Sequence, residues 1–171
     1  MENVSAYAKS VNCDTEICIQ QDARGTGDAA RVALDLIPQS AGVVLILFGD
    51  AAFLAPKTLN SMRDACIAGS SVVVLGFEAH DPTNYGRLVC SPDGSLLKIV
   101  EEKDANDTER KITLCNSGAM AIARDKFHEL LSAVMPSPVS GEYYLTELPA
   151  LARARDLRCS VIVRPDDETL V

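Results

Sequence analysis

Asp50 is the carboxylate best placed for chemistry. With Gly49 it ends the run Gly42-Val-Val-Leu-Ile-Leu-Phe-Gly49, in which six apolar residues follow one another without a polar break. A strand apolar on both faces belongs inside a parallel sheet, and such sheets bind ligands beyond the carboxyl ends of their strands. One acid delivered there suits Mg²⁺, which takes hard oxygen ligands, few of them from protein and the rest from phosphates and water. A surface acid in an ordinary strand-to-helix loop is the alternative at this point.

Gln20-Gln-Asp-Ala-Arg-Gly25-Thr26-Gly27 joins a strand to a helix through two glycines. Glycines let backbone N–H groups approach a planar or anionic ligand, and the Gln20 amide can satisfy both donor and acceptor of a base edge such as uracil. The same residues would equally make a tight turn. Gly86, in Asp81-Pro-Thr-Asn-Tyr-Gly-Arg87, either permits close backbone contact with a ligand or belongs to an irregular loop held by Pro82. Glu101 and Asn116 are polar groups placed just after apolar strands, suited to sugar hydroxyls or amides, with structural hydrogen bonding as the rival reading. In Gly141-Glu-Tyr-Tyr-Leu-Thr146-Glu147, Thr146 reads as a helix cap and the tyrosines as packing, or the loop closes over a sugar. His80 and His128 have no nucleophile partner visible and are read as non-catalytic.

The elements that must position these residues alternate between strand and helix. Glu16–Gln20 reads as a strand and Gly27–Ile37 as a helix, with Ala30, Ala33, Leu34 and Ile37 at helical spacing. The strand ending at Asp50 follows, then a helix opened by Pro56 with Leu59, Met62, Cys66 and Ile67 on one face. Ser71–Phe77 is a third strand. Gly86–Cys90 and Ser95–Val100 flank the turn Pro92-Asp93-Gly94, which predicts a β-hairpin. Asp104–Lys111 is a charged loop, Ile112–Ala123 a strand, Asp125–Val134 a helix, Leu145–Arg155 a helix broken near Pro149, and Cys159–Val163 a last strand. The expected fold is a single α/β domain over 1–171: a mixed, mainly parallel sheet with helices on both faces and a hairpin insertion.

Composition narrows the function classes. The 171 residues, 47% hydrophobic, suit one domain with a substantial core. No window approaches the roughly 20 apolar residues of a membrane span, and the amino terminus lacks a secretory pattern, so a soluble cytoplasmic protein is expected. Twenty-four acids against 16 bases give a net charge of −8, with no basic cluster, which disfavours nucleic acid as a partner. The same acidity obliges a phosphorylated ligand to find a cation or backbone N–H groups. The six cysteines are scattered without zinc-site spacing and read as buried free thiols.

Six motifs occur in one order: Gln20-x4-Gly25-Thr-Gly, Phe48-Gly-Asp50, Asp81-Pro-Thr-Asn-Tyr-Gly-Arg87, Ile99-Val-Glu-Glu-Lys-Asp-Ala105, Asn116-Ser-Gly118 and Gly141-Glu-Tyr-Tyr-Leu-Thr-Glu147. In that order they resemble the uridyltransferase domain of bacterial bifunctional N-acetylglucosamine-1-phosphate uridyltransferase/glucosamine-1-phosphate acetyltransferase, from about Cys18 to Arg164. The resemblance implies a Rossmann-like, GT-A-like nucleotidyltransferase fold. It also implies transfer of UMP from UTP to N-acetylglucosamine 1-phosphate for cell-envelope synthesis, the alternatives being a non-catalytic nucleotide-sugar-binding or assembly module and a nucleotidyltransferase for another sugar phosphate. By matched positions, Gln20 and the Gly25-Thr26 backbone would contact uracil, Phe48 and Gly49 would border the nucleotide, and Asp50 would bind catalytic Mg²⁺. Gly86, Glu101 and Asn116 would contact the sugar and ribose side.

The chain departs from the family pattern in several places. The family's first strands, with a Gly-x-Gly-Thr-Arg loop and a Lys that grip the triphosphate, have no counterpart here, and neither has a later Asn that completes the metal site. No stretch of these 171 residues resembles the acetyltransferase β-helix. Phe48 stands where a Tyr is common and Asp28 where a His is common. Without those strands the sheet would expose edges and apolar surface unless another segment, a second copy in a homo-oligomer or a complementing chain pairs with them.

Overall fold

The computed structural model describes residues 2–51 and 54–165. Both ends of the expected 1–171 domain, Met1 and residues 166–171, therefore lie outside the described residues. In chain order the helices are α1 (Glu2–Val11), α2 (Thr26–Ala33), α3 (Pro56–Ile67), α4 (Arg124–Ala133) and α5 (Leu148–Arg153). The strands are β1 (Val43–Ile46), β2 (Val72–Glu78), β3 (Arg87–Cys90), β4 (Leu96–Val100), β5 (Leu114–Ala123) and β6 (Cys159–Val163).

The strands form one six-stranded sheet in the order β4-β3-β5-β2-β6, with β1 joined to β5. β2 alternates its side chains between two cores. Val72 and Val74 pack with Met120 and Ile122 against Phe127, Leu130 and Leu131 of α4 and Leu148 of α5. Val73 and Leu75 pack on the other face against Met62 and Cys66 of α3. Each such fully buried side chain contributes about 1.5–3 kcal/mol. Helices therefore cover both faces, as expected.

The balance of strand directions differs from expectation. Among the described residues only β2 and β6 pair in parallel; β1, β2 and β3 all pair antiparallel to β5. The β3/β4 hairpin and the charged loop after it return the chain into the sheet reversed, so the long strand β5 becomes an antiparallel spine. The run ending at Asp50 is likewise not a central strand among the described residues. β1 is four residues long, pairs only with β5 and leaves Leu45 exposed, so its two apolar faces do not signal a neighbour on each side.

Glu16–Gln20 is irregular rather than a strand, with Ile17 and Ile19 exposed, because no neighbouring strand pairs with it. Ile67 is exposed rather than on the buried face of α3, where Thr58, Met62 and Cys66 lie. Pro149 does not interrupt a helix but occupies the first turn of α5, after a 3-10 turn at Leu145–Glu147. The hairpin turn forms as read: the Asp93 carboxylate accepts from the Ser95 N–H at 3.0 Å and from the Ser91 hydroxyl, and Gly94 has φ +81°. All six cysteines are free; Cys66, Cys115 and Cys159 are buried, whereas Cys13 and Cys18 are exposed. No helix among the described residues is long and apolar enough to cross a membrane.

Candidate active site

β1 and β3 lie along the same edge of β5, since β2 occupies the other edge over most of its length. β1 pairs with residues Met120–Ala123 and β3 meets β5 only at Cys115, so the two strands leave a gap opposite residues 116–119. The β2/β5 register shifts between Val74 and Gly76, which places a bulge in β5 around Ser117. The Ser117 hydroxyl donates to the Leu75 carbonyl at 2.9 Å, and Gly118 takes φ +90°. Such bulges re-aim side chains and recur beside active sites.

Three of the sequence candidates form a row at one side of this gap. Arg87 stands opposite Val100 on β4 and Cys115 on β5, so the next residue along each strand is Gly86, Glu101 and Asn116 respectively. The Asn116 N–H donates to the Gly86 carbonyl at 2.8 Å. A Cβ at Gly86 would lie 3.3 Å from Ile99 Cγ2 and 3.5 Å from Glu101 Oε2, a close fit beside the Glu101 carboxylate. Asn116 Oδ1 accepts from the Gly118 N–H at 3.0 Å. Because that partner can only donate, the Asn116 amide nitrogen is left to donate into the cleft, beside the acceptor oxygens of Glu101.

Phe48 closes the other side: its ring lies against Gly118, whose added Cβ would sit 2.5 Å from Phe48 Cε2. The chain then turns, with the Ala51 N–H donating to the Phe48 carbonyl at 3.1 Å, and Asp50 projects from that turn. Among the described residues Asp50 has no hydrogen-bond or ion-pair partner. Thr26, Phe48, Asp50, Gly86, Glu101 and Asn116 thus line one open cleft of about 390 Å³. Tyr144 and Thr146 line it too. His80 and His128 are exposed and outside it.

Gln20, Gly25 and Gly49 do not line the cleft, and the Gly-Thr-Gly loop has a job the sequence did not reveal. It is laced to residues 143–145: the Gly27 N–H donates to the Tyr143 carbonyl at 2.8 Å, and the Tyr143 N–H to the Arg24 carbonyl at 2.8 Å. The Leu145 N–H donates to the Thr26 hydroxyl at 3.0 Å. The glycines are needed for this approach, since a Cβ at Gly25 would meet the Tyr143 carbonyl oxygen at 2.6 Å. One of the N–H groups expected to face a ligand is therefore spent inside the protein, and the lacing brings Tyr144 and Thr146 to the cleft. A glycine-bearing loop open to close backbone approach was legible in the sequence; its partner was not.

Gln20 donates through Nε2 to the Gly25 carbonyl at 3.2 Å and to Asp28 Oδ2 at 2.8 Å. Both partners can only accept, so the amide nitrogen must face them and Oε1 remains as the outward acceptor. Asp28, a departure from the family pattern, thus has a role in setting an amide.

The cleft carries Asp50 and Glu101, and no Lys or Arg lines it among the described residues. Lys103 is nearby, its ammonium 5.2 Å from the centre of the Tyr144 ring, and the Tyr144 hydroxyl beside it holds its pKa above the usual lysine range. No group of three or more His, Cys, Asp or Glu side chains that could cage a metal exists among the described residues. A metal would have to be held as Mg²⁺ characteristically is, by one carboxylate completed by phosphate and water oxygens. The unpartnered Asp50 fits that donor set.

A mixed sheet thus opens on a cleft at the end of β1 that presents one free carboxylate, and the chain belongs to the nucleotidyl transferase family, whose model matches residues 1–164. Among its relatives, the bifunctional protein GlmU of Roseobacter denitrificans is 45% identical over 170 residues, 99% of this chain and 37% of that protein. The bifunctional proteins GlmU of Parvibaculum lavamentivorans and Agrobacterium fabrum are 42% and 40% identical over 163 and 167 residues, 95% and 98% of this chain, again covering 36% and 37% of their lengths. The chain spans little more than a third of the relatives it matches.

Proposed function

We propose that the cleft is the sugar and metal side of a uridyltransferase site, which joins UTP and N-acetylglucosamine 1-phosphate into UDP-N-acetylglucosamine and pyrophosphate in the cytoplasm. The observation that carries this reading is the convergence of Asp50, Gly86, Glu101 and Asn116 on one cleft at the gap between β1 and β3. The Glu101 carboxylate accepts from sugar hydroxyls, the Asn116 amide donates to sugar oxygens, and bare Gly86 lets the sugar approach the backbone. Gln20 would offer Oε1 to the uracil imino N–H, with Gly25 and Thr26 at the base and Phe48 and Gly49 beside the ribose. Asp50 would hold Mg²⁺, which neutralises the phosphate charge that this acidic cleft otherwise repels.

A sugar-phosphate oxygen then bonds to the α-phosphorus in line as the α–β bridging P–O bond breaks and pyrophosphate leaves. The protein supplies positioning, and no covalent enzyme intermediate is required.

The same proposal treats residues 1–171 as part of one nucleotidyltransferase domain. In support, among the described residues β1 pairs on one edge only, and beside it Ala29, Ala33, Val44, Leu45 and Leu47 line an open, largely apolar trough of about 500 Å³. A further strand, from the same protein, a second copy or a complementing chain, would cover both.

A second reading keeps the binding and drops the catalysis. It is favoured by a cleft lining that holds Asp50 and Glu101 and, among the described residues, no Lys or Arg, since electrostatic stabilisation of transferring phosphates is ordinarily the largest catalytic contribution. Incubating the purified chain with UTP, N-acetylglucosamine 1-phosphate and Mg²⁺ separates the two. Pyrophosphate release that Asp50→Ala abolishes supports transfer. No release, with calorimetric binding of UDP-N-acetylglucosamine retained, supports the binding module, and neither release nor binding rejects both.

A further inference from the structure

Arg87 is the largest fully buried side chain among the described residues, only 1% exposed, and the reaction outlined above does not use it. Its guanidinium spans two backbone stretches: Nη1 donates to the Tyr85 carbonyl and Nη2 to the Glu102 carboxylate. Tyr85 immediately precedes Gly86, and Glu102 immediately follows Glu101. Through the register of β3 with β4 and β5, the same residue lies beside the Asn116 N–H bond to the Gly86 carbonyl. One planar fork therefore ties together both strand ends of the hairpin that present groups to the cleft.

The arrangement is a poor device for stability. Arg87 Nε is buried without a hydrogen-bond partner, and an ion pair taken out of water is often no better than an apolar pair of the same volume. What it does supply is direction, because a guanidinium fork fixes two partners in one plane where an ammonium or a methyl group fixes neither.

We infer that Arg87, through its ion pair with Glu102, is a positioning residue that sets the spacing of Gly86, Glu101 and Asn116 and so confers the sugar contribution to nucleotide-sugar affinity. The inference rests on the proposed reading of the cleft. It assigns Arg87 no contact with the ligand.

The test compares UDP with UDP-N-acetylglucosamine by calorimetry for the wild-type chain, Arg87→Lys, and the paired apolar replacement Arg87→Met with Glu102→Leu, with urea unfolding of each. The clamp predicts an unchanged UDP affinity and a loss of about tenfold for UDP-N-acetylglucosamine in both variants, equivalent to one misplaced hydrogen bond. The paired variant unfolds at a urea concentration no lower than wild type. An Arg87 that merely supports the fold would weaken both ligands together, leaving the affinity ratio intact, and that result overturns the inference. If the paired variant does not fold, the ratio in Arg87→Lys decides by the same criterion. A wild-type chain that binds UDP-N-acetylglucosamine no more tightly than UDP removes the sugar site itself, which refutes the functional reading and the clamp with it. Loss of the ratio effect alone refutes only the clamp.

Discussion

Gly25→Ala should destabilise the protein through a contact that no pattern in the loop's own sequence discloses. Gly25 has φ +97° and ψ 175°, a region occupied almost only by glycine, where a side chain costs about 1–3 kcal/mol. The new Cβ would also stand 2.6 Å from the Tyr143 carbonyl oxygen and 3.0 Å from its nitrogen, both backbone atoms that cannot rotate away. Relieving the clash separates the loop from residues 143–145 and strains or breaks the Gly27-to-Tyr143 and Tyr143-to-Arg24 hydrogen bonds, each worth about 0.5–1.5 kcal/mol net. Alanine restricts the unfolded chain and returns about 0.4–1 kcal/mol. The expected loss is about 2–4 kcal/mol in urea unfolding followed by circular dichroism. Gly42→Ala is the control: its Cβ would meet nothing within 4 Å, so it should stay within about 0.5 kcal/mol of wild type. A Gly25→Ala loss under about 1 kcal/mol, or one equal to the control, would refute the lacing of the two loops.

Three further outcomes are expected. Asp28→Asn offers Gln20 a donor as well as an acceptor, so the Gln20 amide can turn over; the affinity ratio of UMP to CMP should fall, and an unchanged ratio means Gln20 does not read the base edge. Asp93 is held down to about 2 by the Ser91 hydroxyl and the Ser95 N–H. A depressed folded-state pKa contributes stability that is present above the unfolded value near 3.9 and lost as pH falls through about 2, so the stability difference between wild type and Asp93→Asn should shrink across that window and stay flat above pH 5. For the thiols, Cys13 and Cys18 should react with an aromatic disulfide reagent in the native protein at rates near those of free thiols. Cys66 and Cys159, pushed up to about 11 by burial, should react only after unfolding; rapid native labelling of either would contradict the core described for them.

Elements whose cause is local were legible in the sequence. The Asp93-Gly94 turn, the Pro56 start of α3 and the apolar strand β2 follow from residues within a few positions of one another. What required knowledge of distant neighbours was not. The apolar run before Asp50 reads as a buried central strand, yet an apolar face does not specify a pairing partner, and among the described residues β1 pairs with β5 alone. Glu16–Gln20 has strand-like residues but no strand beside it. Helix and strand alternation suggested parallel pairing, whereas the hairpin insertion reverses β5 against three strands. At the site, the motif order singled out Asp50, Gly86, Glu101 and Asn116, which share the cleft. The bulge at Ser117 and the burial of Arg87 arise from register across strands more than ten residues apart, and no short motif records them.

The most direct test of the central claim is a titration of the isotope-labelled chain with UDP-N-acetylglucosamine in Mg²⁺, followed by backbone amide NMR. Shifts should concentrate at Gly86, Glu101, Asn116, Gly118 and Thr146, around the gap between β1 and β3, while Ser160–Ile162 of β6 stay unmoved. Asp50→Asn should weaken the Mg²⁺-dependent part of the response without disturbing the fold, because Asp50 has no protein partner among the described residues. Shifts at the adjoining hollow around Met135 and Val139 with Gly86, Asn116 and Gly118 unmoved, or no shifts at all, would contradict the assignment of this cleft as the nucleotide-sugar site.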